Sequence, residues 1–137
     1  MTWKCIFKII IDLAPVASAL ISVLIYRRTV TREKKINTMR AFSKIRMKYP
    51  NMSPYAENSI CDRRRREYLK EMEFFCTGVN SKIYDIQIVK KMSRSYLIDQ
   101  YFKYLRKYVN NIRSTQPNAY SEYVKVINKL LLKGDLL

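Results

Sequence analysis

A chain of 137 residues is long enough for one domain and too short for two. With 48% hydrophobic residues it can bury a core, and with only 2 glycines and 4 prolines it lacks the turns that an all-β fold consumes. The formal charge of +16 suits an anionic partner, or the positive flank that orients a membrane span.

That charge is uneven. Residues 1–26 hold two lysines, Lys4 and Lys8, against Asp12, a net of +1, which leaves +15 for the rest of the chain. Within this segment, Ile9 to Tyr26 reads IIIDLAPVASALISVLIY, a run of 18 residues with one charge. As a helix it is about 27 Å long, close to the thickness of a thin bilayer core. Trp3 and Tyr26 sit where interfacial aromatics belong, and Arg27 and Arg28 end the run. A retained transmembrane helix is the leading reading. A cleaved signal peptide, with Ala17-Ser18-Ala19 as the cleavage motif, and a buried or interfacial soluble helix are the alternatives.

Two basic residues precede the span, and Arg27, Arg28, Arg32, Lys34 and Lys35 follow it closely, so the expected orientation puts the C-terminal part in the cytoplasm. Lys8 lies one helical turn before Asp12 and can neutralise it. Ala14, Ser18 and Ser22 make a small-residue ladder that permits close approach of a second helix. With Asp12 they are the candidate residues for association of the span, and an anchor or a pore are the two outcomes. Pro15 costs little if the helix begins near Asp12, and kinks it if the helix begins earlier.

No proline or glycine falls between Val16 and Tyr49, which predicts that the span continues into a basic helical stalk over 29–49. Ile36, Met39, Phe42, Ile45 and Tyr49 mark its apolar face. Pro50 and Pro54 interrupt the chain, and Ser53-Pro54 resembles a helix start. A second helix over 54–78 presents Tyr68, Leu69, Met72, Phe75, Cys76 and Val79. It carries Arg63, Arg64, Arg65 and Arg66, read as a solvated face in preference to an anion site, because consecutive residues spread around a helix.

A turn at Gly78–Lys82 leads to Asp85, placed to cap a third helix over 85–114. Val89, Met92, Tyr96 or Leu97, Tyr101, Leu105, Tyr108 and Ile112 supply its face, and Ser93-Arg94-Ser95 is a point where it bends. Tyr101, Tyr104 and Tyr108 interleave with Lys103, Arg106 and Lys107, a pattern that stacks on single-stranded nucleic acid but more often belongs to a core. After Pro117, a last helix over 118–133 buries Tyr120, Tyr123, Val124, Ile127 and Leu131.

The chain has no histidine, and Cys5, Cys61 and Cys76 lack metal-ligand spacing, which reads as reduced thiols with Cys76 in the core. There is no phosphate-cradling loop, dinucleotide fingerprint or serine elbow. The expectation is a protein without catalytic residues, metal or cofactor.

The stretches LKEMEFFCTGVNSKIYD and YFKYLRKYVNNIRSTQPNAYSEYVKVI resemble the domain of unknown function 4760 family. The shared features are Arg27-Arg28 with Thr29 and Thr31, Glu73 with Gly78-Val79, Ile83-Tyr84-Asp85, and Arg113 with Pro117, Tyr120 and Tyr123. Lys82 departs from the pattern, which favours a small residue, often glycine, in the turn. The resemblance implies a small bacterial protein with a membrane helix before a compact helical domain, and it brings no established activity. At these positions Glu73 is expected to pair with Arg113, Gly78 to permit close packing and Asp85 to cap.

The fold class expected is therefore all-α. One transmembrane anchor over 1–28 continues into a cytoplasmic bundle of about four helices over 29–137. The expected function is a non-enzymatic binding or effector module of the bacterial inner membrane, with its N-terminus outside. It would form a homo-oligomer, recognise an anionic partner (lipid headgroup, nucleotide or RNA) and perturb the membrane in a defence- or toxin-like role. The candidate contact residues are Arg27, Arg28, Arg32, Lys34, Lys35, Arg63, Arg64, Arg65, Arg66, Lys103, Arg106 and Lys107. The alternatives are a passive scaffold that docks a partner protein on the tyrosine face, and a soluble nucleic-acid-binding protein.

Overall fold

The computed structural model describes residues 2–50 and 61–132, without the side chains of 61 and 62. Five α-helices follow one another among these residues: α1 (Trp3–Lys48), α2 (Cys61–Asn80), α3 (Ile86–Gln100), α4 (Arg106–Thr115) and α5 (Ser121–Leu131). A π-helical stretch, Tyr101–Leu105, joins α3 to α4. No strand occurs among the described residues. The chain is all-helical, as its periodicity predicts. The expected start of the second helix at Ser53-Pro54 lies outside the described residues.

The chain divides into two compact units, residues 1–34 and 35–137. In the first, α1 begins at Trp3, so Pro15 lies inside the helix rather than in its first turn. Proline has no N–H, so the carbonyl of Ile11 loses its usual donor. The hydroxyls of this unit turn back on their own helix: Ser18 donates to the Pro15 carbonyl at 2.9 Å and Ser22 to that of Ser18 at 2.9 Å. Trp3, Phe7, Leu13, Leu20, Leu24 and Tyr26 are all exposed.

The second unit is built on a core that every one of its helices enters. Phe42 and Ile45 come from α1; Tyr68, Leu69, Met72, Phe75, Cys76 and Val79 from α2; Val89 and Leu97 from α3; Tyr108 and Val109 from α4; and Tyr123, Val126, Ile127 and Leu130 from α5. The face expected of α2 is buried throughout. On α1 the expected stripe fails at its start: Ile36 and Met39 are exposed and Thr38 is fully buried. Its hydroxyl accepts the Asp85 N–H at 2.8 Å, tying α1 to the turn before α3. On α5, Val126 and Leu130 take the inward places, and Leu131 is exposed.

That turn is set by three residues. Gly78 packs against the Tyr84 ring, and a Cβ there would lie 2.6 Å from its Cδ2. Lys82 adopts the left-handed conformation, φ 62°, which is where glycine is the cheap choice. Asp85 caps α3 by accepting the Gln87 N–H at 2.9 Å.

Candidate functional site

Burial sorts the expected contact residues first. Arg65 is 1% exposed, with its guanidinium 5.7 Å from the centre of the Tyr108 ring. It is therefore removed from the set available to a partner: of four consecutive residues on a helix, one falls on the inward face. Arg63, Arg64 and Arg66 are exposed, and Arg63 meets Glu67 one turn on at 3.4 Å. Because Arg65 packs on Tyr108, the first turn of α2 lies beside α4. The arginine cluster and the exposed Arg106 and Lys107 thus stand on adjoining helices. Arg106 lies over the half-exposed Phe102 ring at 5.3 Å, and Lys103 is exposed. Arg27, Arg28 and Arg32 are exposed in the first unit with Lys34 half-buried there, and Lys35 is exposed in the second. Asp12, Ala14, Ser18 and Ser22 are all exposed.

The tyrosine stripe belongs to the core. Tyr101 and Tyr108 are buried and Tyr104 is half-buried. Tyr101 meets Tyr123 edge-on with ring centres 5.8 Å apart. Tyr101 and Tyr108 therefore offer no ring face at the surface, and Tyr104 only part of one. Tyr68 donates its hydroxyl to Gln100 Oε1 at 3.1 Å inside the core. Burial raises the Tyr68 and Tyr123 hydroxyls and the Cys76 thiol above their usual values, so all three stay protonated.

Two carboxylates organise the second unit. Glu73 on α2 accepts the N–H groups of Glu122 and Tyr123 at 3.0 and 2.8 Å. It thereby caps α5, whose own preceding residue is Tyr120, left-handed at φ 54° and without a capping side chain. It does not pair with Arg113, which closes its own loop on the Pro117 carbonyl at 3.1 Å. Glu71 accepts from Lys48 and, at 3.0 Å, from the Tyr49 hydroxyl. The Lys48 bond holds Glu71 below the usual carboxylate value.

Around Glu71 opens a groove of about 850 Å3 between α1 and α2. Ala41, Ile45, Phe75 and Tyr84 form its apolar part, and Lys44, Lys48, Lys70, Glu67 and Glu71 its charged part. Phe74 stands at its edge, 79% exposed. A smaller hollow of about 210 Å3 is lined by Lys82, Lys90 and Lys129 with Val79, Asn80, Ile86 and Leu132. Lys129 is steadied by Asn80 Oδ1 at 2.9 Å. Neither concavity has a sequence signature, since their residues converge from separate helices. No group of three metal-ligating side chains gathers among the described residues.

The class these observations define is an all-α protein with one N-terminal helix long and apolar enough to cross a membrane. The model of a family described as a domain of unknown function (DUF4760) matches residues 10–130, and the chain belongs to that family. No curated protein and no solved structure matches it.

Proposed function

We propose that this chain is a non-enzymatic, membrane-anchored binding module of the bacterial inner membrane, with its N-terminus outside and its second unit in the cytoplasm. The carrying observation is the apolar window of α1, with mean hydropathy 2.2 and no part buried. An apolar surface of that length, bare of protein contacts, is what a bilayer covers. The basic flank after Tyr26 supports the orientation.

The partner of the cytoplasmic unit is anionic: a lipid headgroup, a nucleotide or RNA. Support comes from the +16 charge and from the exposed Arg63, Arg64, Arg66, Lys103, Arg106 and Lys107. The small-residue ladder at Ala14, Ser18 and Ser22 supports association of spans, through which partner binding would reach the membrane as an effector response.

Alkaline carbonate extraction tests the anchor: the protein stays in the pellet, and release into the supernatant sinks the reading. Protease added to spheroplasts and to inverted vesicles tests topology, with digestion of the second unit expected only in inverted vesicles. Binding of RNA and of anionic vesicles across a salt series tests the partner, and a steep loss with salt is expected. A membrane-potential dye during induced expression separates an effector, which depolarises, from a passive anchor.

A further inference from the structure

The groove between α1 and α2 has three properties that belong together. It is an open hollow of about 850 Å3 with an apolar floor from Ala41, Ile45, Phe75 and Tyr84. It has a large apolar side chain at its own edge, because Phe74 is 79% exposed while lining the groove. It also mixes signs, with Lys44, Lys48 and Lys70 beside Glu67 and Glu71.

We propose that this groove is the contact face for a second copy of the same chain. A two-fold interface needs a patch complementary to itself: each projection must find a hollow, and each cation an anion, on the same surface. Phe74 next to the groove provides the first condition. The mixed lysines and glutamates meet most of the second, with two glutamates for three lysines. The charge argument also selects the occupant. A second copy brings another +16, so self-contact is repelled wherever the surface is uniformly basic. Here the lining carries three lysines against two glutamates, close to neutral, and self-contact costs little. For the same reason a polyanion finds stronger sites elsewhere on the unit. Glu71, fixed by Lys48 and Tyr49, sets the shape of the floor before any partner arrives. Two Phe74 rings inserted reciprocally would act as the buried aromatic anchors of the contact.

This inference goes beyond the membrane reading and does not depend on it, because it places association in the second unit rather than in the span. The test is sedimentation of the full chain in non-ionic detergent at physiological salt. The wild type is expected to dimerise, and Phe74→Asp to weaken the dimer at least tenfold with unchanged helicity, since the ring is exposed in the single chain; its melting is expected to match that of the wild type diluted to monomer. Ser18→Leu with Ser22→Leu, which blocks the ladder of the span, is expected to leave the dimer intact. Lys44→Glu with Lys70→Glu makes the face acidic, and Glu67→Lys makes it more basic. Each variant alone is expected to stay monomeric, and an equimolar mixture is expected to form the heterodimer. A wild-type monomer, a dimer indifferent to Phe74→Asp, or a dimer lost on blocking the ladder would each overturn the proposal. So would a monomer whose sedimentation with anionic vesicles depends on Phe74, which would give the groove to lipid.

Discussion

Glu73 shows what a single residue can hide. Its sequence neighbourhood marks it as part of a shared pattern, and pairing with Arg113 is the natural expectation from charge alone. In the fold it is the N-terminal cap of a helix about fifty residues away, accepting the N–H groups of Glu122 and Tyr123. A local cap follows a Ser-x-x-Glu spacing, whereas a cap supplied by another helix has no spacing to read. Glu73→Ala strips a charged acceptor from two N–H groups at a helix start. It is expected to cost about 1–2 kcal/mol, read as a lower urea midpoint with unchanged slope. Lys82 is the opposite case: a small residue, often glycine, is the expectation for this turn, and the φ of 62° shows why. A left-handed lysine costs about 1 kcal/mol or more, and glycine removes that cost at the price of a freer unfolded chain. Lys82→Gly is expected to raise the unfolding free energy by about 0.5–1 kcal/mol, read as a higher urea midpoint in the same assay.

At the scale of elements, the segment from Ile86 to Thr115 was legible as one bent helical region, and the reason for its irregularities is in the spacing. Val89, Ser93, Leu97, Tyr101, Leu105 and Val109 are all buried, one every fourth residue. A regular helix turns about 100° per residue, so each step of four drifts by about 40°, and five steps by roughly 200°. No straight α-helix keeps those six residues on one face. The chain absorbs the drift twice: at Ser93, whose φ of −155° breaks the helix, and at the wider π turns of Tyr101–Leu105. The serines flagged the first break. The second was missed because a 3.6-residue template was fitted through it, and the same template placed Met92 inward beside the first break, where Met92 is exposed and Ser93 is buried. Deleting Lys103, an exposed residue of the π stretch, would restore regular winding and rotate Leu105, Tyr108 and Val109 by roughly 100° away from the core. Loss of cooperative melting is expected for the deletion. Lys103→Ala, which keeps the register, should stay within about 0.5 kcal/mol of the wild type.

For the whole molecule, hydropathy and charge were enough to read an all-helical chain with one apolar N-terminal segment, because those are properties of runs. The groove and the lysine hollow were not legible, because they are made by residues far apart in sequence. The same charge balance governs stability against pH. Glu71 and Glu122 both lie below the ordinary carboxylate value of 4.5 in the folded chain. The Lys48 bond is the main cause for Glu71, and the Lys125 bond, with Asn80 adding to it, for Glu122. A carboxylate depressed by folding stabilises the fold above its unfolded pKa, and that contribution is lost as pH falls through the lower folded value. Lys48, raised by Glu71, acts with the opposite sign: its contribution is present below its ordinary value of 10.5 and lost as pH rises through the raised one. Protonating the carboxylates also removes the 11 negative charges that offset 27 basic residues, so self-repulsion grows in acid. The melting temperature in non-ionic detergent is therefore expected to be level near neutrality and to fall below about pH 4.5. Glu71→Gln should lower the neutral plateau and flatten the acid slope. At about 0.5 M salt the repulsion is screened, so the melt at low pH should rise, and the exposed Lys48–Glu71 pair is weakened too, so the plateau difference between wild type and Glu71→Gln should narrow. An acid slope left unchanged by Glu71→Gln would assign all of it to net charge and none to the Lys48–Glu71–Tyr49 contact.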